Sequence, residues 1–352
     1  MNSRLSRYLE ELVERGGSDL HVGDGLPAAV RTSGAFVALE EQPPARADVE
    51  AMLLEPLDDR AREALARDLA VSFVHEQGTR ARFRASYAQG AHGLSAVFRP
   101  LAKKIPSPAR LGIPESARAL VERSSGLLLV ASPRASGRST TIASLVEETC
   151  TTRGGIAVLV GDGGASFSPK RAGVVIERTV GCSVPSVAAA LRSAADGDVD
   201  CIGVELAGAD ELELALALAS SGVLVIAGVE APTAAAAIDL AASWTTPDQR
   251  ADAYKRLAAT LVGVLAQRLV RTTSGASRAP AFEVLVCLGA LAALVRDGKT
   301  ARLPAAMHAN ASLGMQTMDH ALEELVRKGT VTRERALLQA VDRPALEAAL
   351  SR

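Results

Sequence analysis

Residues 126–145 read GLLLVASPRASGRSTTIASL, and this stretch decides the fold. Five consecutive apolar residues, Leu127 to Ala131, form a run of strand length with no polar face, as a strand buried on both sides requires. A loop of small residues follows, and then Ser139, Thr140 and Thr141 open an amphipathic segment of helical length. Strand, loop and helix in this order present backbone N–H groups and a helix N-terminus to an anion, which is how a phosphate-binding loop works. The pattern G-x-x-x-x-G-K-[ST] is met at Gly137 and Ser139, while Ser132 replaces its first glycine and Arg138 its lysine.

Working outward, short apolar runs at 127–131, 156–160, 201–204 and 223–227 alternate with helical segments at 139–150, 184–195, 209–219 and 233–242. That alternation predicts a mostly parallel sheet covered by helices. From about residue 250 the pattern predicts mainly helix, with one strand-like run at Phe282–Leu288. Upstream, residues 3–15 have helical spacing, a period-2 hairpin turns at Ser33-Gly34, two short helices fall near 47–54 and 58–68, and alternation returns from Ala70 to Leu101. A mixed α+β domain over 1–100 is expected, then a proline-bearing linker over 101–114, then an α/β domain over 115–352 whose last part, from about 290, is helical.

The 352 residues carry a net charge of -1, which gives no basic footprint, so nucleic acid is not expected as a partner. The N-terminal MNSRLSRYLEELVERGG lacks an apolar core, so no signal peptide is expected there, and a cytoplasmic protein follows. Cys150, Cys182, Cys201 and Cys287 form no C-x-x-C pair and read as buried thiols. Only 6 of the 39 basic residues are lysine, a background in which Arg138 can replace a lysine by drift.

Several stretches resemble the type IV pilus retraction ATPases (PilT-type) of the secretion ATPase superfamily. They are SDLH at Ser18–His21, GLP at Gly25–Pro27, ARFR at Ala81–Arg84, AVFR at Ala96–Arg99, LVGVLAQRLV at Leu261–Val270 and SLGMQTMD at Ser312–Asp319. The resemblance implies a PAS-like first domain, a RecA-like P-loop NTPase domain and a hexameric ring. It implies ATP and Mg as ligands, with Arg134, Ala135, Ser136, Gly137, Arg138, Ser139 and Thr140 at the nucleotide and Ser139 on the metal. With one residue deleted upstream, Glu205 falls at the family's acidic position after the strand VDCIGV, and Asp162 falls near its Glu-Asp-Pro motif. Arg82, Arg84 and Arg99 fall where the family's arginines reach phosphates.

Each position also has a plainer reading. Glu205 polarises water or holds magnesium through water, or is a solvated carboxylate at a strand end. Asp162 sits in Asp-Gly-Gly, a turn sequence. The three arginines are phosphate contacts or one exposed sheet face. The departures cluster where the family does its chemistry: Ser132, Ala135 and Arg138 for Gly, Gly and Lys, Gly161 for the acid, Asp196 for an arginine, Glu230 for a histidine, and Ala292 and Ala293 in the retraction motif. Ser132 and Ala135 are expected to strain a loop built for glycine. Three functional readings follow: a degenerate paralogue that partners or regulates an active motor, a slow ATPase, or an ATP-binding sensor without turnover. The expected partners are like or homologous subunits and the inner-membrane pilus machinery, with possible peripheral membrane location.

Overall fold

In a computed structural model, residues 3–23, 25–32, 35–78, 81–101, 104–161, 167, 172–275 and 277–351 are described. The chain divides into two compact units, with the break between Lys104 and Ile105.

The first unit holds helix α1 (Arg4–Glu14), strands β1 (Asp19–Gly23), β2 (Leu26–Thr32) and β3 (Ala35–Ala38), helices α2 (Arg46–Leu54) and α3 (Asp59–Asp68), and strands β4 (Ala70–Gln77), β5 (Ala81–Gly90) and β6 (Gly93–Pro100). The strands form one antiparallel sheet in the order β3-β2-β1-β6-β5-β4. Alternation puts Leu20, Val22, Phe83, Ala85, Tyr87 and Phe98 into a core shared with Leu5, Leu9 and Leu12 of α1. Helix α1 starts where Ser3 Oγ accepts the N–H of Ser6 at 3.3 Å.

The second unit begins with α4 (Glu115–Arg118), β7 (Gly126–Ala131), α5 (Arg138–Thr152), β8 (Gly155–Gly161), β9 (Gly173–Thr179), α6 (Val187–Ala195) and β10 (Cys201–Glu205). It continues with α7 (Ala209–Ser221), β11 (Leu224–Val229), α8 (Ala234–Ser243), α9 (Arg250–Thr260), β12 (Leu261–Arg271) and β13 (Arg278–Val286). Five helices close it: α10 (Ala290–Arg296), α11 (Leu303–Ala309), α12 (Met318–Arg327), α13 (Arg333–Leu337) and α14 (Arg343–Ala349). Its sheet runs β13-β12-β7-β11-β10-β8-β9, parallel throughout except for the antiparallel β12–β13 edge. Leu127 to Ala131 are wholly buried, as an apolar run without a polar face requires.

Three sequence expectations are corrected. Leu261–Arg271 is a strand where helix was expected. It is buried on both faces and so shows no period-2 alternation, and its identity comes from pairing with β7 and β13. Strand β9 was not anticipated. It lies at the sheet edge, where Val174 and Ile176 stay exposed. Cys182 is exposed, while Cys150, Cys201 and Cys287 are buried. Part of the expected linker also packs onto the second unit: Ser144 Oγ donates to Pro106 O at 2.6 Å, and Ile113 is buried.

The topology positions the site. Strands β10, β11 and β7 are neighbours, and parallel register aligns Glu205 with Gly228 and Val229 with Ala131 at one carboxyl edge. Crevices outside that edge are where open parallel sheets bind ligands.

Candidate functional site

The loop from Ser132 to Gly137 leaves β7 and enters α5. Gly137 holds φ 84° as the residue before the helix, a conformation glycine adopts without steric cost. Ala135 also lies in the left-handed region, at φ 58°. Ser132 does not. It is fully buried as an extension of β7, and its hydroxyl donates to Pro133 O at 2.9 Å. The expected strain is therefore confined to Ala135.

Two residues of the strands β12 and β13 hold carbonyls of the loop. Gln267 of β12, 3% exposed, donates Nε2 to Ser136 O and accepts the Thr141 hydroxyl at 2.7 Å. Arg278 of β13 donates to Ala135 O at 3.0 Å. Sequence reading named neither. The available signal was a glutamine inside the apolar run LVGVLAQRLV, because a buried amide needs partners.

Arg138 is the first residue of α5, and its side chain turns back toward the sheet edge. Nη2 donates to Glu205 Oε2 at 2.6 Å and Nε to the same oxygen at 3.2 Å. Nη1 donates to Ser132 O at 3.0 Å and to Val229 O at 3.2 Å. The arginine side chain is 16% exposed, and that of Glu205 41%. The second carboxylate oxygen accepts the Ser139 hydroxyl at 2.9 Å. Glu205 thus serves the first two residues of α5. Space for the guanidinium stem comes from Gly228, where a Cβ would stand 3.1 Å from Arg138 Cδ and 2.8 Å from Ile142 Cδ1.

Glu230 follows β11 and pairs with Arg134 Nε at 3.0 Å, an exposed contact that contributes little. A cleft of about 290 Å3 opens here, lined by Arg138, Glu205, Leu206, Ala207, Glu230, Leu240 and Trp244. The structure therefore brings Arg134, Ala135, Ser136, Gly137, Arg138, Ser139 and Thr140 together with Glu205 and Glu230. Ser139 and Thr140 are exposed. Asp196 lies at the C-terminus of α6, and Asp162 lies outside the described residues.

In the first unit, Arg84 stands opposite Arg99 in the β5–β6 register, and Arg82, two residues along, shares their face. That face is opposite the one carrying Phe83, Ala85 and Phe98 into the core. Arg99 Nε donates to Asp19 at 2.6 Å, and Arg82 pairs with Glu76 at 3.2 Å. Burial raises the Asp19 carboxyl, but hydrogen bonds from Arg99 and Ser18 and the charge of Arg31 outweigh it, so its pKa is lowered.

The sequence profile of the family described as type II/IV secretion system protein matches residues 4–334. The type IV pilus retractation ATPase PilT of Pseudomonas aeruginosa is 31% identical, over 94% of this chain and 96% of its own. The chain belongs to this family, among the pilus retraction ATPases of the PilT type. A crystal structure of the pilus retraction motor PilT with bound ADP superposes with a TM-score of 0.87 at 29% identity, covering 97% of this chain and 98% of that one. The retraction ATPase fold, an N-terminal α+β domain followed by a RecA-like domain, is therefore present over 97% of the chain. The type IV pilus ATPase PilU of Pseudomonas aeruginosa is 26% identical over 96% of this chain and 88% of its own. The ATPase DotB of Legionella pneumophila shares the fold, with a TM-score of 0.79 at 17% identity over 95% of this chain and 94% of that one. Among the described residues, no helix is long and apolar enough to cross a membrane.

Proposed function

We propose that this chain is a degenerate retraction ATPase that hydrolyses ATP weakly or not at all and acts as a partner or regulator of an active motor of its family. The observation that carries the reading is the pairing of Arg138 with Glu205. An NTPase loop needs a cation free to follow the transferred phosphoryl group and a carboxylate free to orient water. Here the only cationic residue of the first helical turn is joined to that carboxylate at 2.6 Å, and Ser139, the candidate magnesium ligand, donates to the same group at 2.9 Å. These residues bond one another, and a nucleotide must displace those contacts to engage them. Glu230 adds a second negative charge to the cleft, and like charge disfavours a polyphosphate.

A second reading, ATP binding without turnover, is favoured by the loop backbone. Ala135 and Gly137 keep left-handed φ values of 58° and 84°, the shape that turns consecutive N–H groups toward an anion. Under the first reading Glu205 is the candidate catalytic position, and under both Arg82, Arg84 and Arg99 are candidate phosphate contacts. The proposed partners are like or homologous subunits and the pilus machinery at the inner membrane, reached from the cytoplasm.

Phosphate release with ATP and magnesium tests the reading. The expected rate is background, both alone and with Glu205→Gln. A robust rate that disappears in Glu205→Gln would sink the proposal. Light scattering of the protein, alone and mixed with an intact retraction ATPase, tests the partner role. A strictly monomeric species in both samples counts against it.

A further inference from the structure

Away from the loop, β13 buries a carboxylate that the proposed function does not use. Glu283 is 6% exposed. Its Oε1 accepts the N–H of Ala234 at 2.5 Å and its Oε2 the N–H of Met318 at 2.9 Å. Ala234 and Met318 are the first residues of α8 and α12. Each helix already has its own threonine cap: Thr233 accepts from Ala236 N at 3.2 Å, and Thr317 from His320 N at 3.4 Å. Glu283 is therefore an additional anchor, a single carboxylate placed between the positive ends of two helices remote in sequence.

Arg268, on the adjacent strand and the same sheet face, reaches the same two regions. It donates to Pro232 O at 3.2 Å, just before α8, and to Gln339 O beyond α13. Asp319 then accepts the N–H groups of Val341 and Asp342 at 2.7 and 2.8 Å, tying that segment to the start of α12. At its far end, α8 supplies Leu240, and its C-terminal cap Trp244, to the cleft wall. The start of α12, the segment beyond α13 and the start of α8, whose far end lines the cleft, are thus held by the same two side chains.

We infer that Glu283 is a coupling residue: through its shared carboxylate, the seating of α12 and the order of α8 become one conformational event. If α12 withdraws, Glu283 loses one of its two donors while remaining buried. A buried carboxylate short of partners moves or protonates, and either change disturbs the first turn of α8. Burial already raises the Glu283 pKa against the two N–H donors and Arg268. Whatever engages the C-terminal helices is thereby read at the cleft. The inference is independent of whether the loop holds a nucleotide.

Amide exchange on the full-length protein tests it, read alongside the emission of Trp244, the only tryptophan. Thr317→Ala removes a cap of α12 alone. Amides 318–320 should exchange about fivefold faster, and 234–236 should follow in the same direction. Linkage is reciprocal, so Thr233→Ala should speed exchange at 318–320. Glu283→Gln, which leaves one acceptor for two donors, should speed both segments together and shift Trp244 emission. Ser186→Ala removes a comparable cap on α6, where Ser186 accepts from Ala189 N at 3.1 Å, and should leave both segments unchanged. Loosening of 318–320 with 234–236 and Trp244 unmoved would overturn the inference. So would an equal response to Ser186→Ala, which would mean loss of global stability only.

Discussion

Replacing Glu205 by glutamine should make this protein bind polyphosphate more tightly, although it removes the candidate catalytic carboxylate. Arg138 gives Glu205 two hydrogen bonds, at 2.6 and 3.2 Å, and Ser139 gives it a third, at 2.9 Å. A phosphate entering the loop must draw Arg138 and Ser139 away from that carboxylate and then lie beside its negative charge. Hydrogen bonds to charged groups contribute about 1.5–3 kcal/mol each when well shielded. The Glu205 side chain is 41% exposed, so solvent screens the interaction. A net barrier of about 1–2 kcal/mol for the whole arrangement is the consistent figure.

Glutamine keeps the size and an acceptor oxygen while removing the charge. The apparent affinity for magnesium pyrophosphate, or for an ATP analogue whose β–γ bridging oxygen is replaced by an imido group, should rise about 5- to 30-fold. Calorimetry at fixed ionic strength reads the change, and Trp244 in the cleft wall provides an optical check. Both ligands resist turnover, so trapping of an unhydrolysed substrate cannot imitate the effect. Equal or weaker binding by Glu205→Gln, in a variant that melts like the parent, would refute the reasoning. It would mean that Arg138 and Ser139 leave Glu205 without measurable cost.

Three further outcomes are expected. Arg138→Lys should not restore hydrolysis, because Glu205 then pairs with the ammonium while Ala135 and Glu230 are unchanged, and phosphate release at ordinary motor rates would show that the arginine alone was limiting. Gln267→Leu should destabilise the second unit by about 1–3 kcal/mol, since the Ser136 carbonyl and the Thr141 hydroxyl lose a buried partner, and an unchanged urea midpoint would contradict this. Asp19→Asn should flatten the acid side of the stability profile: the lowered folded pKa makes the Asp19 contribution present above its unfolded pKa of about 3.9 and lost as pH falls through the folded value, so identical acid limbs for parent and variant would count against the Arg99 pairing.

How much of this was legible in the sequence depends on the range of the interaction concerned. The strands at 127–131, 156–160, 201–204 and 223–227 were readable because each is a short apolar run bounded by turns or helical spacing. The loop at 132–137 was readable as the connection between one such strand and a Ser-Thr-Thr helix start. Strand β12 was not, because burial on both faces erases alternation, and its pairing with β7 spans more than a hundred residues. Ser132 was expected to carry strain as a replaced glycine, but its φ is not positive, and the loop first enters the left-handed region at Ala135. Glu205 was marked for its position after an apolar strand. Its bond to Arg138 depends on β11 lying between β7 and β10, an order that no local pattern encodes.

That pairing also changes what the substitution at residue 138 means. A lysine could not reproduce it: one ammonium has no planar fork with which to face a carboxylate and two carbonyls at once. Arginine does so, joining the carboxyl ends of β7, β11 and β10 through Ser132 O, Val229 O and Glu205. Gly228 leaves the room for its stem, and Ser139 fills the remaining carboxylate oxygen. The carboxyl edge is thus bonded from within the chain. An arginine at residue 138 therefore binds the sheet edge as well as carrying charge. It ties three strand ends together through one side chain, the arrangement on which the proposed weak turnover rests.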